Sequence, residues 1–118
     1  MSDNLAKPVS GAVLARVLDV PSPGAAVFDF RAGDAIYSLI LARSDEGVFA
    51  YENMCPHASY PLERPDGRVV VQAGRHLLCS AHAASFDLAT GACTGGPAMG
   101  KALTRVGVIV AGDEIRMA

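Results

Sequence analysis

The strongest constraint on this chain is its punctuation, because its apolar runs are short and recur between Gly, Pro and Asp. LARVLDV stops at PSPG, AAVFDF at RAGD and AIYSLILAR at SDEG, and VFAYEN follows. Such stretches, rich in Val, Ile, Phe and Tyr, are too short and too interrupted for stable helices and read as strands joined by tight turns. The same pattern returns after Lys101 as LTRVGVIV, an AGDE turn and EIRM, a terminal hairpin. Between them the texture changes from Met54 onward: CPHASYPLERPDG is dense in Pro and polar residues, RVVVQ and RHLLCS look like short strands, and SAHAASFDLATGACTGGPAMG reads as mostly loop. The expected fold is all-β, an antiparallel β-sandwich or barrel base (approximately 8–50 and 103–118) with an inserted subdomain of two loops (approximately 51–102). Loops carried on a rigid base are where function concentrates.

Length and composition fit this picture. A chain of 118 residues suits one domain with a core that needs no disulfide staples, and 51% apolar against 19% charged residues argues against disorder. No internal repeat or long linker divides it. The formal charge is -2 and the arginines are scattered, which argues against a nucleic-acid partner. The N-terminus carries Asp3 and lacks the apolar stretch of a secretory signal, and AIYSLILA is too short to span a bilayer, so a cytoplasmic location with no membrane partner is expected.

The three cysteines, Cys55, Cys79 and Cys93, are an odd number in a chain without an export signal, which points to reduced or metal-bound thiols. Cys55 and His57 are separated by one residue, and Cys79 and His82 by two. Two short Cys/His pairs on two loops suggest one shared metal site. Thiolate and imidazole suit zinc or iron, whereas calcium or magnesium needs clustered oxygen donors that neither loop offers. A structural zinc module and an iron–sulfur centre both remain open on donor type alone, although C-x-H spacing fits zinc modules poorly.

The sequence Cys55-Pro56-His57 followed by Cys79-Ser80-Ala81-His82 resembles the C-x-H and C-x-x-H pair of Rieske proteins. Phe86-Asp87, Thr90-Gly91 and Gly96-Pro97-Ala98 then follow in the order in which Rieske ferredoxins carry F-D, T-G and a proline-containing loop. The resemblance covers about Tyr51 to Ala102, with a similar terminal hairpin. It implies a Rieske-like fold and one [2Fe–2S] cluster, with Cys55 and Cys79 on an inner iron and His57 and His82 on an outer iron near the surface. It also implies a non-enzymatic electron carrier that takes single electrons from a flavin-dependent, NAD(P)H-linked reductase to a terminal oxygenase or similar acceptor. With nothing after Ala118, a component of a ring-hydroxylating system is expected, not the complete oxygenase. A Rieske-like small subunit of a multi-subunit reductase such as nitrite reductase is one alternative, and a zinc-stabilised interaction module is another.

Other features read as structural. Cys93 has no histidine at ligand spacing and reads as a small apolar residue, and His76 as a strand or surface residue. Gly95 to Lys101 reads GGPAMGK, the first part of a phosphate-binding loop. Ala102 replaces the hydroxyl residue, Pro97 removes an amide donor, and a strand-like segment follows in place of a helix. Asp45-Glu46 and Asp113-Glu114 sit in turn-like sequences, and no hydrolytic site stands out.

Departures from the family pattern bear on the potential. High-potential Rieske proteins carry an extra cysteine in each loop, at the positions of Tyr60 and Ala81, and hydroxyl residues at the positions of Ala84 and Phe86; Ala83 stands where glycine is common. Hydrogen bonds around the cluster raise its potential, so the value expected here is low, on the order of −150 mV. Protein-film voltammetry tests this, and a midpoint above roughly +100 mV contradicts it.

Overall fold

The computed structural model describes residues 5–56, 60–80 and 84–118. Eleven strands occur in these residues: β1 (Val13–Arg16), β2 (Gly24–Ala32), β3 (Ala35–Ser44), β4 (Gly47–Glu52), β5 (Val70–Gln72), β6 (His76–Leu78), β7 (Ser85–Asp87), β8 (Cys93–Gly95), β9 (Arg105–Val106), β10 (Val108–Ala111) and β11 (Glu114–Met117). They form three antiparallel sheets, ordered β1-β11-β10, β2-β3-β4-β9 and β5-β6-β7-β8.

The apolar run in β3 explains how the sheets stack. Side chains alternate across a strand, and here both faces are apolar: Leu39 and Leu41 belong to one buried cluster, Ile40 and Ala42 to another, and all four are fully buried. Tyr37, Leu39 and Leu41 pack with Leu14, Ile115 and Met117 of the β1-β11-β10 sheet. Ile40 and Ala42 pack with Leu77 and Phe86 of the β5-β6-β7-β8 sheet. β4 divides in the same way, with Ala50 in the first cluster and Tyr51 in the second. The β2-β3-β4-β9 sheet is therefore a wall shared by two cores.

Two local differences from the sequence reading have identifiable causes. LARVLDV reads as one strand, but after β1 the chain makes a 3-10 turn at Val17–Asp19. The Arg16 amide donates to Asp19 Oδ2 at 2.9 Å, and the Arg43 guanidinium donates to the carbonyls of Val17 and Val20 at 3.2 and 2.9 Å. Side-chain bonds of this kind offer the backbone an alternative to the ladder. The stretch expected to be mostly loop contains β7 and β8, each of three residues, too short to show a period.

The β5–β6 hairpin contains a conflict between residue and backbone. Ala73 and Gly74 have φ of +53° and +65°, and the Arg75 amide donates to the Gln72 carbonyl at 3.0 Å, as in a type I′ turn. Alanine in the left-handed region costs roughly 1–2 kcal/mol. Ala73→Asn is expected to stabilise the protein by about 1 kcal/mol, read as a raised denaturation midpoint at unchanged slope.

Candidate metal centre

Cys55 follows β4 after Asn53 and Met54, and Cys79 directly follows β6. Their relative exposures are 0% and 1%, and they share one apolar cluster with Leu62, Leu77, Ala84 and Phe86. Neither is in a disulfide. Each cysteine closes its own loop with its backbone amide: Cys55 N–H donates to the Tyr60 carbonyl at 2.7 Å, and Cys79 N–H to the Ala84 carbonyl at 2.8 Å. The acceptor lies equally far ahead in both, so the two loops are closed by the same device. His57 and His82, the other two expected ligands, fall within these spans and lie outside the described residues, as do Ala81 and Ala83.

The two loops are also joined to each other. Ser80 donates from its amide to the Leu62 carbonyl at 3.2 Å and from its hydroxyl to the Glu63 carbonyl at 2.9 Å. Asn53 grips the other side of the same dipeptide: its Oδ1 accepts from the Leu62 amide at 2.8 Å, and its Nδ2 donates to Glu63 Oε1 at 3.0 Å and to Ser38 Oγ at 3.0 Å. The sequence reading missed Asn53. An asparagine beside a turn signals local backbone bonding, but partners this far along the chain are visible only in the fold.

The motifs after the second loop have structural roles. Phe86 is fully buried. The Asp87 carboxylate accepts from the amides of Ala89 and Thr90 at 2.8 and 3.0 Å, turning the chain toward Gly91. Gly91 has φ +79°, and a Cβ there would stand 2.7 Å from Tyr51 Cε1. Tyr51 in turn donates its hydroxyl to the Leu88 carbonyl at 2.7 Å, tying β4 to this turn. Ala98 is buried, and Lys101 Nζ donates to the Pro56 carbonyl at 3.4 Å, joining the proline-containing loop to the first cysteine loop.

The remaining candidates sit apart from the thiols. Cys93 is half-buried and donates its Sγ–H to the Gly95 carbonyl at 3.2 Å. His76 lies on β6 with Nδ1 3.2 Å from Thr94 Oγ1, which is 2.9 Å from Ser85 Oγ. GGPAMGK leads through an isolated bridge at Ala102 into β9, so no helix N-terminus faces that loop. Among the described residues no group of three or more His, Cys, Asp and Glu side chains gathers to hold a metal. No helix among them is long and apolar enough to cross a membrane.

The Rieske [2Fe-2S] domain model matches residues 12–110, and the chain belongs to that family. The cytochrome bc1 complex Rieske iron-sulfur subunit of Streptomyces lividans is 41% identical over 52 residues, 44% of this chain and 28% of that protein, so the chain spans under a third of this relative's length. Among solved structures, the ferredoxin of carbazole 1,9a-dioxygenase from Nocardioides aromaticivorans IC177 has a TM-score of 0.73 at 25% identity, covering 93% of this chain and 98% of that one. A nitrite reductase NADPH small-subunit structure has a TM-score of 0.65 at 19% identity, covering 93% and 99%, a likeness of fold. The nearly all-β architecture is thus that of Rieske ferredoxins. A Rieske domain carries one [2Fe–2S] cluster, and two buried, unbridged thiols on paired loops suit the cysteine half of its donor set.

Tyr51 gives this region a pH dependence. Burial is the largest cause raising its phenol from 10.0 to about 12, Arg105 acts to lower it and Asp87 adds to the rise. The unfolded chain ionises near 10, so the stabilisation is fully present below that pH and is lost as pH rises toward 12. Tyr37, raised to about 12 by burial and then by Glu52, acts in the same direction. Thermal midpoints should fall between pH 10 and pH 12, less steeply in Tyr51→Phe. At neutral pH that variant should be less stable by about 1–3 kcal/mol, because the Leu88 carbonyl loses its buried donor.

Proposed function

We propose that this protein is a single-electron carrier whose [2Fe–2S] cluster is held by Cys55, His57, Cys79 and His82. The observation that carries this reading is the pair of buried thiols on two like-closed, mutually bonded loops. When bound, the cluster accepts and releases one electron at a time. In this reading Cys55 and Cys79 would hold one iron, and His57 and His82, as the resemblance implies, would hold the other. Residues 8–50 and 103–118 serve as the base and 51–102 as the cluster-binding part of a single Rieske domain.

The partners proposed are a flavin-dependent, NAD(P)H-linked reductase as donor and a terminal oxygenase or similar acceptor, in the cytoplasm. The likeness to a dioxygenase ferredoxin supports this choice. So do Met54, Tyr60 and Met99, exposed large apolar side chains on the loops around the thiols, since exposed apolar surface commonly marks a protein contact. The likeness to the nitrite reductase small subunit is one of fold and gives that alternative less support.

Electron paramagnetic resonance of the reduced protein tests the ligand set, because mixed histidine and cysteine ligation gives a spectrum distinct from an all-cysteine cluster. Iron and acid-labile sulfide in equal amounts are expected, whereas one zinc in a colourless protein establishes a structural zinc module instead. His57→Ala and His82→Ala should lose the cluster and Cys93→Ser should keep the wild-type spectrum. A normal spectrum from His82→Ala refutes the ligand set.

A further inference from the structure

The Asn53 carboxamide makes three hydrogen bonds to residues of two separate segments. Asn53 is the first residue after β4 and is fixed to β3 twice, by its backbone amide to the Ser38 carbonyl at 3.0 Å and by Nδ2 to Ser38 Oγ at 3.0 Å. Its Oδ1 holds the Leu62 amide and its Nδ2 also holds Glu63 Oε1. The Leu62 amide is a donor, so it requires the oxygen of the carboxamide, which leaves the NH2 group for Ser38 and Glu63. Neither aspartate nor leucine at this position can make all three bonds.

The carbonyls of Leu62 and Glu63 are taken by Ser80, the neighbour of Cys79. A continuous set of hydrogen bonds thus runs from β3 through Asn53, across Leu62–Glu63, to Ser80. Cys55 lies two residues beyond one end and Cys79 adjoins the other. In a Rieske centre the two cysteines bind the same iron, so their sulfurs must converge at a fixed separation although they belong to different loops.

We propose that Asn53 is a positioning residue for the cluster, setting the spacing of the Cys55 and Cys79 loops through Leu62–Glu63 and Ser80. The inference rests on the ligand reading above and adds to it a residue that touches neither iron nor sulfide. Residues behind the ligands of a metal site orient those ligands, and their loss commonly weakens metal binding by about 10–100-fold.

The test compares holoprotein of the wild type with Asn53→Ala, Asn53→Asp, Ser80→Ala and the Asn53→Ala/Ser80→Ala double variant. Three quantities are read: the rate at which an iron chelator bleaches the visible absorption, the g values of the reduced protein, and the thermal midpoint. Asn53→Ala should bleach about tenfold faster or more, with shifted g values. Ser80→Ala should move both in the same direction. The double variant should fall short of the product of the single effects, because both residues act through one dipeptide.

Asn53→Asp retains the acceptor for Leu62, loses the donor and sets a carboxylate beside Glu63. It should follow Asn53→Ala, and with Ser80→Ala it decides the matter if Asn53→Ala fails to fold. A lower thermal midpoint with g values unchanged and bleaching within twofold of wild type, in the folded Asn53 variants and Ser80→Ala alike, overturns the positioning role. A wild-type protein lacking the mixed-ligand signal refutes the ligand reading itself and the positioning role with it.

Discussion

The structure depends on one strand that has no solvent face. Because Leu39 and Leu41 bury on one side of β3 while Ile40 and Ala42 bury on the other, the central sheet must be covered twice. The β1-β11-β10 sheet covers one side. The short sheet that follows Cys55 covers the other, and Cys55 and Cys79 are members of that second core. The thiols are therefore not attached to the fold by their loops alone, since their burial and the burial of β3 are parts of the same packing. Such a site sits on a close-packed support of low compressibility, which suits a centre that must hold its geometry.

The loops add hydrogen bonds to this packing without depending on any one kind of partner. Backbone amides close each loop, a serine joins one loop to the other, an asparagine ties the first to β3, and a lysine reaches from the 96–101 stretch to Pro56. Tyr51 and Gly91 add a close contact in which the ring occupies the space a side chain at position 91 would need. Of the motif residues shared with Rieske ferredoxins, Phe86, Asp87, Gly91 and Ala98 thus shape the support.

How much of this was legible in the sequence follows from the range of each interaction. The strands of the central sheet were readable because runs such as AIYSLILAR carry their own signal. The two Cys/His pairs were visible because spacing is a local property, and the resemblance supplied their expected roles and the cofactor. The 3-10 turn at Val17–Asp19 was not readable, since it is held by Arg43 from another strand. The strands β7 and β8 were too short to reveal a period. Asn53 was overlooked for a similar reason, as its partners Leu62 and Glu63 become neighbours only when the loop closes.

The main-chain bond that closes each cysteine loop has a consequence for how such a protein can change. The acceptors are the carbonyls of Tyr60 and Ala84, atoms that almost any residue offers at those positions. The closing bond itself is therefore independent of the side chain at 60 or 84, although Ala84, being fully buried, answers to the packing around it. A lineage built on this plan can vary the exposed side chain at position 60 while keeping the same main-chain closure of each loop.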